Sequence, residues 1–184
     1  VGEHATYHIE FDAPLTSDIE GIARPVSDWV RTSGGTKFIA SDTAEAIAAA
    51  RSYPGAISTL ILPADTAWGE ADDVATVPAQ ESPPTVSKSA VEECAAVLRS
   101  GEPTVLMLGG RALREPALEI TGRIAAHSNA AIRSELSAAR TQRGAGRVAA
   151  ERIPYVVDQA VKTLDGVRHL ILVGAKAPVA FFAY

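Results

Sequence analysis

The sequence predicts an α/β fold in which helices cover both faces of parallel sheets. Helical and strand patterns alternate along most of the 184 residues, which is typical of strands joined by right-handed helical crossovers. The strand patterns are short and continuously apolar, as expected for strands that are covered on both faces. Apolar residues make up 47% of the chain, which is enough to build a core in one domain or in two small ones.

The first 70 residues are predicted to contain two helices and one buried strand. Pro25 stops the first helix, because the residue before a proline is pushed out of the helical region. Asp42 and Glu45 form a D-x-x-E capping pattern at the start of the second helix, which is rich in alanine. The predicted elements are, in order, a helix over Thr16 to Ala23, an extended segment over Val26 to Arg31, a helix ending at Arg51, and a strand over Ser58 to Leu62.

A linker over residues 71–85 is predicted to separate a domain at residues 1–70 from a second domain at residues 86–184. Between Trp68 and Thr85 the sequence is interrupted by Gly, Asp, Pro, Gln and Ser and shows no apolar periodicity. Such composition is typical of a boundary between domains.

The second domain is predicted to alternate three helices with three strands. Ser89 and Glu92 form a capping box for its first helix, and Gly101 terminates that helix. Residues 138–152 are rich in Gly, Arg and Ala without a clear period, so no element is predicted there. The predicted elements are a helix between Ser89 and Gly101, a strand over Thr104 to Leu108, a helix over Glu115 to Ala126, a strand over Ala130 to Ser134, a helix over Pro154 to Leu164, and a strand over His169 to Val173.

Charge and composition argue against several classes of partner. The chain has 17 Lys and Arg against 22 Asp and Glu, a net charge of -5. This negative charge argues against binding to nucleic acid or to an anionic membrane. No apolar stretch approaches the ~18 residues of a membrane-spanning helix, and the first ten residues do not resemble a signal peptide. The single cysteine, Cys94, is interpreted as a small core residue rather than a nucleophile, which fits a reducing, cytoplasmic compartment.

The sequence indicates no metal site and no self-contained catalytic machinery. His4 and His8 are four residues apart, but no third ligand accompanies them. His127 at a helix end and His169 at a strand start have adequate structural explanations. Motifs for a serine nucleophile, a zinc protease or a phosphate loop do not occur, so no catalytic residue is predicted within the chain.

A glycine turn is the local feature that most directly suggests a ligand-binding site. The strand over Thr104 to Leu108 leads into Gly109-Gly110-Arg111, at the end of a parallel strand where ligands bind in doubly wound sheets. Lys176 follows the last predicted strand and is expected at the same edge. The third glycine of the dinucleotide fingerprint is missing, so a tight turn and a solvated lysine remain equally good interpretations.

The order of several segments carries a family resemblance. These segments are an Asp-Ala pair at Asp12, a helix followed by Arg24 and a β segment, a strand closing on Leu62-Pro63-Ala64-Asp65, and the Gly109-Gly110 turn after the first strand of the second domain. Together they resemble the thiamine-diphosphate-dependent enzymes of the acetolactate synthase type. The resemblance covers nearly the whole chain. It implies that residues 1–70 are the C-terminal part of the pyrimidine-binding domain and residues 86–184 the N-terminal part of the central Rossmann-like domain.

The resemblance implies a parent enzyme, a transferase or lyase, that makes or breaks carbon–carbon bonds next to the carbonyl of a 2-keto acid. The family uses thiamine diphosphate and Mg²⁺, but its activating glutamate would precede Val1 and its Gly-Asp-Gly motif would follow Tyr184. The missing initial Met and the apolar run from Pro178 to Tyr184 lead to the same expectation of an excised, inactive piece. The parent is expected to be a homodimer or homotetramer.

The resemblance also suggests where a substrate and a nucleotide would lie. His4, Asp12 and Leu15 occupy the region that faces the substrate in the family, although acetolactate synthases carry Phe-Gln where this chain has Pro14-Leu15. The lost amide weakens an assignment of pyruvate as the substrate. The family's central domain binds FAD, ADP or nothing, so the candidate contacts Gly109, Gly110, Arg111 and Lys176 belong to a nucleotide-binding or a purely structural module. A dehydrogenase is disfavoured because Glu135, the nearest acidic ribose ligand, lies late in the sequence.

Overall fold

In the computed structural model, which describes residues 1–71 and 74–182, short strands form two separate parallel sheets. One sheet belongs to an N-terminal unit, Val1–Pro84, and the other to a C-terminal unit, Thr85–Tyr184. All strand pairs in both sheets are parallel, so every connection between paired strands is a crossover. The predicted α/β class is therefore confirmed.

The N-terminal unit has a three-stranded sheet with the order β1-β3-β2. The central strand β3 carries the unit's core, since Ile61 is only 1% exposed and Pro63 is fully buried at the end of the strand. The elements of this unit are β1 (Gly2–Glu3), α1 (Ile19–Ala23), β2 (Trp29–Thr32), α2 (Ile39–Arg51), β3 (Ser58–Pro63) and α3 (Ala64–Trp68).

Two predicted helix starts in this unit are wrong, because Asp18 caps the first helix and the second begins before its predicted capping residue. Helix α1 begins at Ile19 rather than Thr16. Asp18 caps it, since its carboxylate accepts a hydrogen bond of 2.8 Å from the Gly21 amide. The chain then passes through Pro25 in a 3-10 turn, in whose first turn a proline needs no hydrogen bond. Helix α2 begins three residues before Asp42, so that side chain is buried in the first turn and bonds Arg31 at 3.0 Å instead of capping.

The C-terminal unit has a four-stranded sheet with the order β6-β5-β4-β7. Its elements are α4 (Lys88–Arg99), β4 (Thr104–Leu108), α5 (Glu115–Ser128), β5 (Ala131–Ser134), β6 (Glu151–Arg152), α6 (Val157–Leu164) and β7 (His169–Val173). After β6 the chain crosses the sheet to place β7 beside β4. The strand order therefore reverses between β4 and β7, which is the topological switch point of this sheet.

Every residue of β4 is buried, because helices cover both faces of the central strand. Leu106 and Leu108 face one way and pack in a cluster with Leu113, which precedes α5, and with Leu118 of α5. Val105 and Met107 face the opposite way and pack with Ile153 and, among others, Ala160 and Leu164 of α6. This alternation of two cores along one strand is the pattern that the continuous apolar run predicted.

The predicted elements of the C-terminal unit need five corrections, of which the smallest is that β5 begins at Ala131 instead of Ala130. Ser87, rather than Ser89, caps α4, since its hydroxyl accepts a hydrogen bond from the Ala90 amide at 3.2 Å. Helix α5 extends to Ser128 and ends at Asn129, which takes the left-handed conformation that asparagine tolerates. Helix α6 begins at Val157 instead of Pro154. The two-residue strand β6 was not predicted, because two residues carry no periodic signal.

Candidate functional site

A cavity of about 540 Å³ opens at the carboxyl ends of β1 and β3 in the N-terminal unit. The predicted substrate-facing residues His4 and Leu15 both line it, whereas the third, Asp12, does not. The side chains that complete the wall include two that the sequence did not single out, Tyr7 and Trp68. The remaining lining residues are Gly2, Glu3, Ala5, His8, Ile19 and Ala64.

Hydrogen bonds across the sheet edge hold the cavity loop, which we define as residues 4–16. The Asp65 carboxylate accepts a bond of 2.6 Å from the Thr6 hydroxyl and one of 2.9 Å from the Thr6 amide. The Thr6 hydroxyl, and after it the Thr6 amide, hold the pKa of the Asp65 carboxyl below its usual range. The Pro63-Ala64-Asp65 ending of β3 thus fixes the start of the loop, and Asp65 is a positioning residue that sequence reasoning did not identify.

The second half of the cavity loop is fixed to the first by a histidine. The His4 Nε2 atom lies 3.0 Å from the Pro14 carbonyl oxygen and donates to it in the Nε2-protonated tautomer. The His4 and His8 rings meet edge to face at 5.6 Å, and His8 lies 5.9 Å from the Phe11 ring. These contacts make the loop a compact turn, with imidazole groups as the polar part of the cavity wall.

Two residues of the cavity loop have left-handed backbone conformations that non-glycine residues rarely adopt. Asp12, with φ of 46°, ends the 3-10 turn Ile9–Phe11, where its own amide donates to the Ile9 carbonyl at 3.2 Å. Leu15 has φ of 76° and a side chain that is 93% exposed. Strain of this kind collects at functional sites, where the surrounding structure compensates for it.

The glycine turn of the C-terminal unit lies at the switch point between β4 and β7. The Gly109 amide donates to the Val173 carbonyl at 3.0 Å. A Cβ atom on residue 109 would lie 2.5 Å from the Gly174 carbonyl oxygen and 2.7 Å from the Ala175 Cα atom. A glycine is therefore required at position 109 for two strand ends to pack together, which favours the tight-turn interpretation of this residue.

A short turn separates the glycines from the following helix, whose start at Glu115 agrees with the prediction. A 3-10 turn, Gly110–Leu113, comes first, and α5 begins only at Glu115. The Glu115 amide donates to the Gln142 side chain, and the Glu115 carboxylate pairs with Arg147 at 2.9 Å. Protein groups therefore already occupy part of the α5 amino terminus that would otherwise attract a phosphate.

The remaining predicted contacts, together with Glu135, lie around the same sheet edge. Arg111 and Lys176 are exposed, Arg111 after β4 and Lys176 after β7. Glu135, at the end of β5, reaches the glycine turn, since its Oε1 atom would lie 2.6 Å from a Cβ on Gly109. Its Oε2 atom accepts a hydrogen bond of 3.4 Å from the Lys176 amide.

The chain is similar to known proteins, in sequence or in fold, over nearly its whole length. No protein-family model matches the sequence. A curated Mycobacterium tuberculosis protein, provisionally named acetolactate synthase large subunit IlvX, is 46% identical over 185 residues, which cover 100% of this chain and 35% of that protein. The predicted resemblance to the thiamine-diphosphate-dependent, acetolactate-synthase-like family is confirmed.

Two solved structures share the fold of this chain. A Rhodococcus jostii RHA1 thiamine-diphosphate-dependent 4-hydroxybenzoylformate decarboxylase superimposes with a TM-score of 0.72 and 19% identity, over 99% of this chain and 35% of that one. A Mycobacterium smegmatis protein, provisionally described as a thiamine-diphosphate-dependent enzyme, gives a TM-score of 0.65 and 16% identity, over 96% of this chain and 36% of that one. The chain thus spans about a third of the length of the proteins it matches.

The C-terminal unit also contains a larger apolar cavity, of about 850 Å³, between the sheet and α6. Met107 and Ile153 form its floor, and the Tyr155 ring lies 5.5 Å from the Phe181 ring at its rim. Glu135 and Lys176 also line it, so the cavity borders the edge where a nucleotide was predicted. No local sequence pattern indicates this cavity, because its walls come from distant segments of the chain.

Grouped metal ligands and membrane-spanning helices are both absent from the described residues. Within residues 1–71 and 74–182, no three His, Cys, Asp or Glu side chains are grouped so that they could hold a metal ion. None of the helices in that part of the chain is long and apolar enough to cross a membrane.

Proposed function

We propose that this chain is a segment of a thiamine-diphosphate-dependent enzyme that acts on 2-keto acids by carbon–carbon bond ligation, lyase chemistry or decarboxylation. The observation that carries the proposal is the 46% identity to an acetolactate-synthase-like protein over the whole chain. The N-terminal unit then corresponds to the C-terminal part of the pyrimidine-binding domain. The C-terminal unit corresponds to the start of the central Rossmann-like domain.

The residues of this chain do not by themselves fit thiamine diphosphate and its Mg²⁺ ion. A Gly-Asp-Gly sequence does not occur in the 184 residues, and the described residues contain no grouped metal ligands. The chain's own contribution is the cavity loop, in which Asp65 holds Thr6 and His4 holds the Pro14 carbonyl. These contacts support a role in shaping the space around the substrate, while the cofactor motifs are supplied by other parts of the parent enzyme.

The test is turnover by the protein expressed from the complete reading frame that contains these 184 codons. With thiamine diphosphate and Mg²⁺, we expect it to consume 2-keto acids, and we expect the activity to disappear when either is omitted. The 184-residue chain assayed in parallel is expected to be inactive under all conditions. Turnover by the short chain, or turnover by the parent that does not depend on thiamine diphosphate, would contradict the proposal.

For the parent enzyme we further propose a cytoplasmic homodimer or homotetramer with transferase or lyase activity. The support is the relationship to acetolactate-synthase-like proteins, together with the single cysteine, which fits a reducing compartment. Light scattering on the purified parent measures the assembly, and a monomer at micromolar concentration would be the contrary result.

A second candidate function for the C-terminal unit is binding of a nucleotide, FAD or ADP. The supporting observation is that Arg111 and Lys176 are exposed at the switch point of a parallel sheet, beside the 850 Å³ cavity. A purely structural module is the competing interpretation, and the packing of Gly109 against Gly174 supports it.

Calorimetric titration of FAD and ADP separates these interpretations. If the unit binds a nucleotide, Arg111→Ala and Lys176→Ala should each weaken binding about tenfold or more, as expected for a charge-assisted contact. Arg168→Ala is the matched control, because Arg168 is an exposed arginine that precedes β7 at the opposite edge of the sheet. No heat with either nucleotide would identify the unit as structural.

Glu135→Gln tests the geometry of the same nucleotide hypothesis. If the Glu135 carboxylate accepts a hydrogen bond from a ribose hydroxyl, the substitution should weaken ADP binding. If the carboxylate occupies the place of a phosphate beside Gly109, removal of its charge should strengthen ADP binding. The sign of the change therefore decides which role Glu135 has.

A further inference from the structure

The space beside Gly109, where a phosphate would approach the glycine turn, is already filled by the protein's own atoms. A Cβ atom there would meet the Gly174 carbonyl oxygen at 2.5 Å, the Glu135 Oε1 atom at 2.6 Å and the Ala175 Cα atom at 2.7 Å. In a dinucleotide-binding turn the absent side chain of a glycine lets the phosphate come close to the backbone. At this turn it makes room for a neighbouring strand end and for a carboxylate instead.

The Glu135 carboxylate is held in this position from two sides. The Glu135 amide donates to the Leu108 carbonyl at 3.0 Å, so the residue continues the pairing of β5 with β4 up to the glycine turn. Its Oε2 atom accepts a hydrogen bond of 3.4 Å from the Lys176 amide, which follows β7. Carboxylate oxygens repel an anion, whereas phosphate sites are built from N–H groups and cations. The side chain therefore opposes a phosphate both by its volume and by its charge.

The amino terminus of α5, the other usual place for a phosphate, has its backbone groups already engaged. The Glu115 amide donates to the Gln142 side chain, and Pro116 has no N–H group to offer. The amides of Ala117 and Leu118 donate to the carbonyl of the residue before the helix, at 3.1 Å and 2.9 Å. These are the four positions whose N–H groups lack an intrahelical partner, so a phosphate at this end would have to displace protein groups.

From these contacts we propose that Glu135 is an internal anion at the switch point, and that its charge keeps a nucleotide diphosphate, such as that of FAD or ADP, away from the C-terminal unit. Arg111 and Lys176 follow β4 and β7 at the same sheet edge, so cationic groups suited to a phosphate lie beside a carboxylate that takes its place. This inference goes beyond the proposed function. It selects the structural interpretation of the C-terminal unit, names the residue responsible, and does not depend on the reaction of the parent enzyme.

Calorimetric titration of inorganic pyrophosphate and ADP into the 184-residue chain tests the inference. Pyrophosphate isolates the contact with the diphosphate, and ADP adds the ribose and the base. Glu135→Gln removes the charge and keeps the shape of the side chain. It should tighten binding of both ligands about tenfold or more relative to the wild type, because a like charge beside an anion costs at least that much.

Further variants assign the gain to this place in the fold. Glu102→Gln is the matched control, because it removes the same charge at the opposite end of β4, and it should leave both affinities unchanged. Adding Arg111→Ala to Glu135→Gln should remove most of the gain, since a phosphate at the turn would be bound by the arginine. Glu135→Ala should give the same gain as Glu135→Gln, so a folding defect in one variant, detected by circular dichroism, leaves the other to decide.

Three results would overturn the inference: binding by the wild type as tight as by Glu135→Gln, no gain in the folded Glu135 variants, or a gain that persists when Arg111→Ala is added. Failure of the proposed function appears separately, as a parent enzyme without thiamine-diphosphate-dependent turnover of 2-keto acids. That failure would leave the role of Glu135 at the glycine turn unchanged.

Discussion

Substituting alanine for Gly109 should destabilise the C-terminal unit for a purely steric reason. The residue has φ of -141° and ψ of 167°, an extended conformation that alanine adopts freely. The new Cβ atom, however, would lie 2.5 Å from the Gly174 carbonyl oxygen and 2.7 Å from the Ala175 Cα atom, both of which are backbone atoms. Overpacking of this kind costs about 1–3 kcal/mol. Alanine recovers about 0.4–1 kcal/mol by restricting the unfolded chain, so we expect a net loss of about 1 kcal/mol.

Urea denaturation with two probes measures this loss. Both tryptophans, Trp29 and Trp68, lie in the N-terminal unit, so their fluorescence reports that unit while far-ultraviolet circular dichroism reports both. The circular dichroism transition of the Gly109→Ala variant should move to lower urea, and the fluorescence transition should stay in place. Gly2→Ala is the control, since no atom would lie within 4 Å of its Cβ and its φ is outside the left-handed region. If Gly109→Ala loses no more stability than Gly2→Ala, the packing argument is wrong.

Three further predictions concern single side chains. Leu118→Ala should cost about 2–5 kcal/mol, because Leu118 is 1% exposed in the core of α5, whereas Ile120→Ala on the exposed side of the same helix should cost less than about 0.5 kcal/mol in the same urea titration. Leu15→Gly should stabilise the N-terminal unit by about 0.5–1 kcal/mol. It removes about 1–2 kcal/mol of left-handed backbone strain, while the greater conformational freedom of glycine stabilises the unfolded chain by about 0.5–1 kcal/mol. A lower urea midpoint by tryptophan fluorescence would contradict this. The bond of 2.6 Å from His169 holds the pKa of the Glu102 carboxyl below its ordinary 4.5, so its contribution to stability is complete well above pH 4.5 and is lost as the pH falls through the lowered pKa. The stability difference between wild type and Glu102→Gln should therefore shrink as the pH falls below 4.5, and a difference that is constant from pH 7 to pH 3 would refute the pairing.

The strands were predictable where the sequence carries a continuous apolar run between turn residues. The predicted bounds of β4 and β7, Thr104–Leu108 and His169–Val173, agree with the structure residue for residue. Helix starts were less predictable, because several nearby polar residues compete to cap a helix. At α4 Ser87 caps the helix while Ser89 lies inside it, and the two hydroxyl groups are 3.2 Å apart. Only backbone geometry distinguishes these two serines.

The candidate site in the N-terminal unit depends on contacts that no local pattern encodes. The family resemblance brought His4 and Leu15 to attention, and the structure places both in one cavity. Asp65 and Thr6 are 59 residues apart in sequence, so their hydrogen bonds follow from the pairing of β1 with β3 rather than from either segment. Trp68 likewise reaches the cavity only because α3 follows β3 directly.

The strand ends of the two units differ in how many groups they leave available to a ligand. In the C-terminal unit two backbone amides that would hold a phosphate are engaged by the protein itself, although the Arg111 and Lys176 side chains are exposed. The Gly109 amide donates to Val173, the Glu115 amide donates to Gln142, and the Glu135 carboxylate brings negative charge to the glycine turn. In the N-terminal unit the strand ends leave a cavity open, and Leu15 bears backbone strain on its wall without being buried. This contrast favours ligand binding at the open strand ends of the N-terminal unit. If the proposed function holds, substitutions in the cavity loop should change the relative turnover of different 2-keto acids more than substitutions at the glycine turn.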